Sequence, residues 1–435
     1  MVGYFVSLAI FTATFALFSL GLNLQFGFTG LVNFGHIAFM TIGAYTTVLL
    51  SQSGVPLVLA VLIGVALAAI LGVLVGLSTL RLREDYLAIV TIGVSEVVRL
   101  VALNEEWLTR GTRGVYSYPL PQANFEPNLA SKLGMIALLT LIVGAGGWQL
   151  WQWLGRQPKG TLGKASQPQG LILAGYIGCL AILSNSLWLV INQLQVGGGL
   201  DLLQLGLAVL AAGVGVALIY ARLAQPLKVA QSQAWSTHVV VLSVTICAGL
   251  TLLVYRAGVI GLYDYSYKAG LMWLLLLTLA LVFWQLQRWI NSPWGRVLKA
   301  IREDEEVAKA LGKDVFWYKL QSLMIGGAIA GLAGAFYAWQ LTFINPDGFI
   351  PLITFQAWTI VVLGGAGNNV GTLLGAAIFW AYNTVTRFVL PEIIPLDEAR
   401  LGAFRVMVIG LLLIILMMWR PQGILGKKEE LTLGR

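Results

Sequence analysis

Cysteine, histidine and charge are all scarce in this 435-residue chain. Its two cysteines, Cys179 and Cys247, sit far apart in separate apolar runs, and its two histidines, His36 and His238, stand in unrelated places. A metal site needs Cys and His at short, repeated spacing, so no metal site and no disulfide framework are expected; the cysteines read as packing residues. Charged residues make up 11% of the chain, where soluble domains carry roughly 25%. The Gly-rich run Leu363 to Gly371, LGGAGNNVG, lacks the Lys and Ser/Thr of a phosphate-binding loop. No nucleophile–base arrangement stands out. These shortages exclude a soluble enzyme and a chain that supplies its own ATPase.

What the chain has is apolar sequence: 58% hydrophobic residues, a mean hydropathy of +0.82 and 50 glycines, the small residues that let membrane helices approach closely. A membrane helix needs about 20 apolar residues. By that measure spans are expected near 4–22, 34–51, 55–79, 86–103, 133–154, 171–191, 202–222, 239–258, 269–290, 319–341, 352–366, 369–389 and 402–419. The 352–366 stretch is short enough to be re-entrant. The segment from Tyr4 to Leu20 has no basic flank and no small-residue cleavage site, and reads as retained.

Charge then orients the spans. With the polar interlude 291–319 in the cytoplasm, Arg81, Arg83, Arg156, Lys159, Lys164, Arg222, Lys228, Arg288, Arg420, Lys427, Lys428 and Arg435 fall on the same side. Glu105, Glu106, Glu126, Asp201, Asp264, Asp347, Glu392, Asp397 and Glu398 fall on the other. This is the positive-inside bias. The net charge of +8 therefore needs no nucleic acid as partner.

The interlude itself, NSPWGRVLKAIREDEEVAKALGKDVFWYK, reads as a short amphipathic helix. Ser292 suits the N-cap, Pro293 the first turn and Gly312 the residue past the end. Val297, Ile301, Ala308 and Leu311 share one face. Elsewhere, Asn23, Gln25, Asn33 and His36 interrupt membrane-depth sequence among Gly21, Gly27, Gly30 and Gly35. Polar groups there face a cavity or the bundle interior, so they mark either a kinked entry to a path or amides bonding neighbouring backbone. Glu96 and Arg99, three apart on an apolar helix, share a face and read as an ion pair, with a proton or substrate site as the other reading. Thr354, Gln356 and Asn368 are the polar groups expected to flank a pore beside the 363–371 turn.

Five blocks in order carry a resemblance: 21–50, 79–100, 292–320, 344–376 and the ending WRPQGILG at 419–426. They resemble the LivM-like permease subunits of ABC importers for branched-chain and other neutral amino acids, most of all the cyanobacterial-type neutral amino-acid permeases. The resemblance implies an all-α polytopic protein of the plasma (inner) membrane, with its C-terminus cytoplasmic and a type II-like importer permease core. It implies a second related permease as partner, two cytoplasmic ATPases that use ATP and Mg, and a periplasmic solute-binding protein. The chain itself would bind no cofactor and would not be an enzyme. Ile301, Arg302, Asp304, Glu305, Glu306, Ala308, Ala310, Leu311 and Gly312 would form the ATPase-coupling segment, with Ile301, Ala308 and Leu311 as the apolar contact. Val307 and Lys309 depart from the family pattern. The translocation path would take Asn33, His36, Thr354, Gln356 and Asn368.

The family core implies residues 1–130 and 263–426, with a tail at 427–435. Residues 131–262 then read as a four-span insertion that could form a peripheral bundle, hold membrane lipid or contact another protein, for about 12–13 segments in all. A urea or amide importer permease shares the same core, and a self-sufficient secondary transporter is the rival from another class.

Overall fold

The computed structural model describes residues 2–80, 84–123, 125–155, 249, 251–393, 397–419 and 422–425. Almost all of that is helix. The first half carries α1 (Val2–Leu22), α2 (Ile37–Gln52), α3 (Leu57–Thr79), α4 (Glu84–Asn104), the short α5 (Glu106–Thr109) and α6 (Leu129–Gly155). The second half carries α7 (Thr251–Tyr263), α8 (Tyr267–Ile290), α9 (Pro293–Glu303), α10 (Glu305–Ala310) and α11 (Val315–Leu341). It ends with α12 (Pro351–Gly364), α13 (Asn369–Ile393) and α14 (Glu398–Trp419). Among the described residues, seven helical stretches are long and apolar enough to cross a membrane. The spans expected at 171–191 and 202–222 lie outside the described residues, as does most of 239–258.

The chain forms two compact units, Met1–Val6 with Pro127–Ala269, and Ser7–Glu126 with Gly270–Arg435. In the first, the Lys132 ammonium donates to the Tyr263 carbonyl at 2.8 Å and the Thr140 and Tyr255 hydroxyls meet at 2.9 Å.

In the second, α2, α3 and α11 pack backbone to backbone. A Cβ on Gly43 would stand 2.0 Å from the Gly331 carbonyl oxygen, and one on Gly334 would stand 2.1 Å from that of Met40. Such approaches need glycine, and they yield the dispersion contacts that hold helices together in lipid. The outward faces of α3 and α14 expose Leu62, Ile70, Leu74, Met407 and Ile414, as lipid-facing helices do.

Contacts define two ends of this unit. At the turn end, β1 (Val115–Tyr116) pairs antiparallel with β2 (Phe343–Ile344), Gln52 donates to the Tyr116 carbonyl, and Arg99 reaches Asp347. The loop end gathers the close of α1, helices α9 and α10, and the turn after α12. The 352–366 stretch does not re-enter. Preceded by the turn Pro346–Gly348, α12 leaves the turn end and finishes at the loop end, where the amide of Gly367 donates to Asn23. There Gly365 and Gly367 take φ of 111° and 83°, a region L side chains rarely adopt, and α13 turns back.

Helix α2 has 16 residues, about 24 Å at 1.5 Å per residue, short of the ~30 Å hydrocarbon layer. The missing depth is covered by residues 30–36, which are not helical. Leu31, Asn33 and Gly35 are buried and alternate with half-buried Gly30, Val32 and Phe34.

Candidate functional site

The segment 23–36 begins where α1 loosens into a π turn, Asn23–Gly27. Non-helical backbone at membrane depth must find partners inside the protein. Here it does. The Asn23 carboxamide accepts from Gly367 N at 2.9 Å and donates to Asn369 Oδ1 at 3.0 Å. Gln25 donates to the Leu323 carbonyl and accepts from Asn33 Nδ2 at 2.9 Å. The amide of Gly35 donates to Asn33 Oδ1, that of Phe34 to the Thr91 hydroxyl and that of Ile37 to the Thr354 hydroxyl. Trp358 Nε1 donates to the Asn33 carbonyl at 3.0 Å. His36, fully buried between the rings of Phe18 and Phe39, has Nε2 at 3.2 Å from the Phe18 carbonyl.

The residues expected to line a path are thus placed inside this chain. Asn33, His36 and Thr354 are at most 1% exposed and face their own helices rather than an open channel. Asn368 caps the start of α13, accepting from Val370 N and Gly371 N, while its amide holds the Leu425 carbonyl. Gln356 is half-buried. Sequence reading left open whether the polar break serves a path or satisfies backbone; in this structure its side chains meet groups of the same chain, while His36 Nδ1 is buried without a partner among the described residues.

Glu96 and Arg99 do meet. The Arg99 guanidinium donates to both Glu96 oxygens, and its other arm lies 3.4 Å from Asp347. The pair stands toward the turn end of α4 and ties that helix to the turn before α12.

The loop departs from a single helix. Asp304 breaks it with φ −156° and ψ 109°, and its carboxylate accepts from Val307 N, capping α10. Ser292 stands at the N-cap position of α9 in extended conformation, but its hydroxyl donates back to the Trp289 carbonyl and makes no capping bond. Gly312, at φ 73°, closes α10 with a Schellman pair: its own amide donates to the Lys309 carbonyl and that of Lys313 to the Ala308 carbonyl.

Burial reassigns the loop's faces. Ile301 and Ala308 pack inward on Val315, with Val297 and Tyr318 around them, so they cannot be the apolar contact for a partner. Leu311 is 71% exposed, and Val307 and Trp317 are each 54% exposed. Val307, which departs from the family pattern, is an exposed apolar residue absent from the face read in sequence; its apolar type beside charged neighbours was the available signal. Ala310 and Gly312 are exposed with Leu311.

The loop's charges work within the chain. Glu305 accepts from buried Lys319 at 2.5 Å and pairs with Lys309 at 3.1 Å. Burial pushes the Glu305 carboxyl up, but hydrogen bonds from Lys319 and Lys309 outweigh it and hold it below the usual carboxylate range. Glu306 pairs with Lys309 on the surface. Arg302, expected to point at a partner, turns inward and donates to the Gly27 carbonyl. Among the described residues, no three His, Cys, Asp or Glu side chains come together as metal ligands.

Over residues 4–155 and 163–417 the chain matches the family of permease components of the branched-chain amino acid transport system. It is 25% identical, across 97% of its length and 69% of the relative's, to the high-affinity branched-chain amino acid transport system permease protein LivM of Escherichia coli K12. The probable branched-chain amino acid transport permease LivM of Methanocaldococcus jannaschii is 31% identical over 37% of this chain and 47% of its own. The high-affinity permease BraD of Pseudomonas aeruginosa is 30% identical over 32% and 42%. No solved structure matches. A polytopic all-α chain of membrane-length helices, with a compact two-helix loop at one end, belongs to the branched-chain amino acid transport permease family.

Proposed function

We propose that this chain is one of two permease subunits of an ATP-driven importer for branched-chain and other neutral amino acids. The second subunit is a related permease: both LivM- and LivH-named proteins are among its relatives. Two ATPases using ATP and Mg dock at the loop, and a solute-binding protein delivers cargo at the turn end. Residues 1–130 and 263–426 supply the permease core, 131–262 an added block and 427–435 a cytoplasmic tail. Basic residues cluster with the loop, which supports a cytoplasmic loop end and C-terminus.

The observation that carries this reading is the loop's construction. Asp304 and Gly312 cap α10, Glu305 bolts it to Lys319, and the rigid result presents Val307 and Leu311 outward beside Trp317. An exposed apolar pair on a fixed short helix is suited to a groove on another protein. Closing of the ATPases would then move a stiff element rather than a loose one.

The test is uptake of labelled leucine by proteoliposomes holding the full assembly. The expected result is uptake that requires both ATP and the binding protein and is competed by neutral amino acids. Uptake of urea in its place would favour the amide-importer reading. Ion-gradient uptake by this chain alone would make it a secondary transporter.

A further inference from the structure

Resting on the reading that ATPases dock at the loop, we infer that Arg302 is the positioning residue that passes loop movement to the broken segment 27–36. Three observations place it there. Its guanidinium donates to the carbonyl of Gly27, at the end of the π turn, where a helix has run out of its own amide donors. The neighbouring carbonyls are already used: Phe26 accepts from Gly30 N and Gln25 from Leu31 N. Its stem lies 3.6–3.9 Å from where a Cβ on Gly30 would stand, so Gly30, at φ 80°, is the residue over which the segment turns against α9. Beside it, the Lys299 ammonium sits 5.8 Å from the centre of the Phe28 ring. Helix α9 thus grips the far side of the break with two cationic side chains, while its own Ile301 is buried on Val315.

The other side of the break is fixed differently. Asn23 is held by Gly367 and Asn369, and Asn369 in turn by Gln287 near the end of α8. Residues 27–30 therefore lie between an anchor on α8 and α13 and a grip from α9. If α9 shifts with a docked ATPase, Gly27 is pulled while Asn23 stays. Displacement then passes into residues 30–37, where Phe34, Ile37 and Asn33 meet Thr91, Thr354 and Trp358 of α4 and α12. A guanidinium suits this role better than an ammonium, because its planar fork holds direction as well as charge.

The experiment compares wild type, Arg302→Ala and Arg302→Lys in the full assembly in proteoliposomes. It measures ATPase retention, ATP hydrolysis and leucine uptake on the same preparation. For Arg302→Ala, retention and hydrolysis should stay near wild type while leucine carried per ATP hydrolysed falls about tenfold, the factor for losing one charge-assisted hydrogen bond. Arg302→Lys should fall between the two. Wild-type uptake per ATP in Arg302→Ala would overturn the inference. So would parallel loss of retention, hydrolysis and uptake, which is what a residue that only holds the loop's fold would give. Absence of ATP-driven uptake in wild type would remove the importer reading itself, and is thereby distinguished from failure of the Arg302 variants alone.

Discussion

Glu305 shows how much one side chain decides in this protein. Its carboxylate joins α10 to the N-terminal part of α11 through Lys319, and Lys309 on its own helix pairs with it as well. Because its carboxyl ionises below the ordinary range in the folded loop, the bond contributes fully above the unfolded value of about 4.3 and is lost as pH falls through the lower folded value. Limited proteolysis between α9 and α11 should therefore be constant from neutral pH down to about 5 and accelerate only in stronger acid. Glu305→Gln should be cleaved faster at neutral pH and respond less to acid. A loop whose cleavage rises already between pH 7 and 6 would contradict the assignment. The charge pattern of the loop was legible in its sequence; the choice of partner was not. Arg302, Asp304 and Glu305 look alike as surface charges, yet one holds a carbonyl 275 residues away, one caps a helix and one forms a half-buried pair.

At the level of elements, apolar run length found the spans that fall among the described residues, and helical spacing misjudged the 291–319 connection. Ile301 and Ala308 are one heptad apart and share a face in either a continuous or a broken helix, so spacing could not reveal the break at Asp304. The signal was local: an Asp followed by two acidic residues is a good N-terminus, with the charges placed to suit the helix dipole. The fate of the apolar face depended on Val315, which only tertiary packing brings beneath it. Ala308→Arg would thus unfold the loop instead of probing what docks there. The α2–α11 contact leaves a trace in the sequence, since α11 carries Gly326, Gly327, Gly331 and Gly334 and α2 carries Gly43. Gly43→Leu, which must enter the Gly331 backbone, should cost about 1–3 kcal/mol or more of stability. Gly93→Leu, on the open face of α4, should leave the thermal midpoint in detergent unchanged. Equal midpoints for the two variants would mean that α2 and α11 do not touch as described.

Across the whole molecule, composition and charge asymmetry were enough to read a polytopic membrane chain, and the quoted blocks were enough to read the family. The polar residues were harder. Asn33, His36 and Thr354 look like path residues in sequence because lipid tolerates such groups poorly. The partners they show lie in the same chain: Gly35 N and the Gln25 side chain for Asn33, the Phe18 carbonyl of α1 for His36, and Ile37 N for Thr354. A polar residue in a membrane helix says that something must satisfy it, and sequence does not say whether that is cargo or neighbouring backbone. What remains on the surface at the loop end is the apolar tip of α10. The central claim is that this tip, and not the loop's buried face, holds the ATPases. It is tested most directly by co-purifying the two ATPases with wild type and with Val307→Glu/Leu311→Glu. Burial of each such side chain contributes about 1.5–3 kcal/mol, so retention should fall at least tenfold while the variant reaches the membrane with an unchanged thermal midpoint. Equal retention by the two proteins would contradict the account.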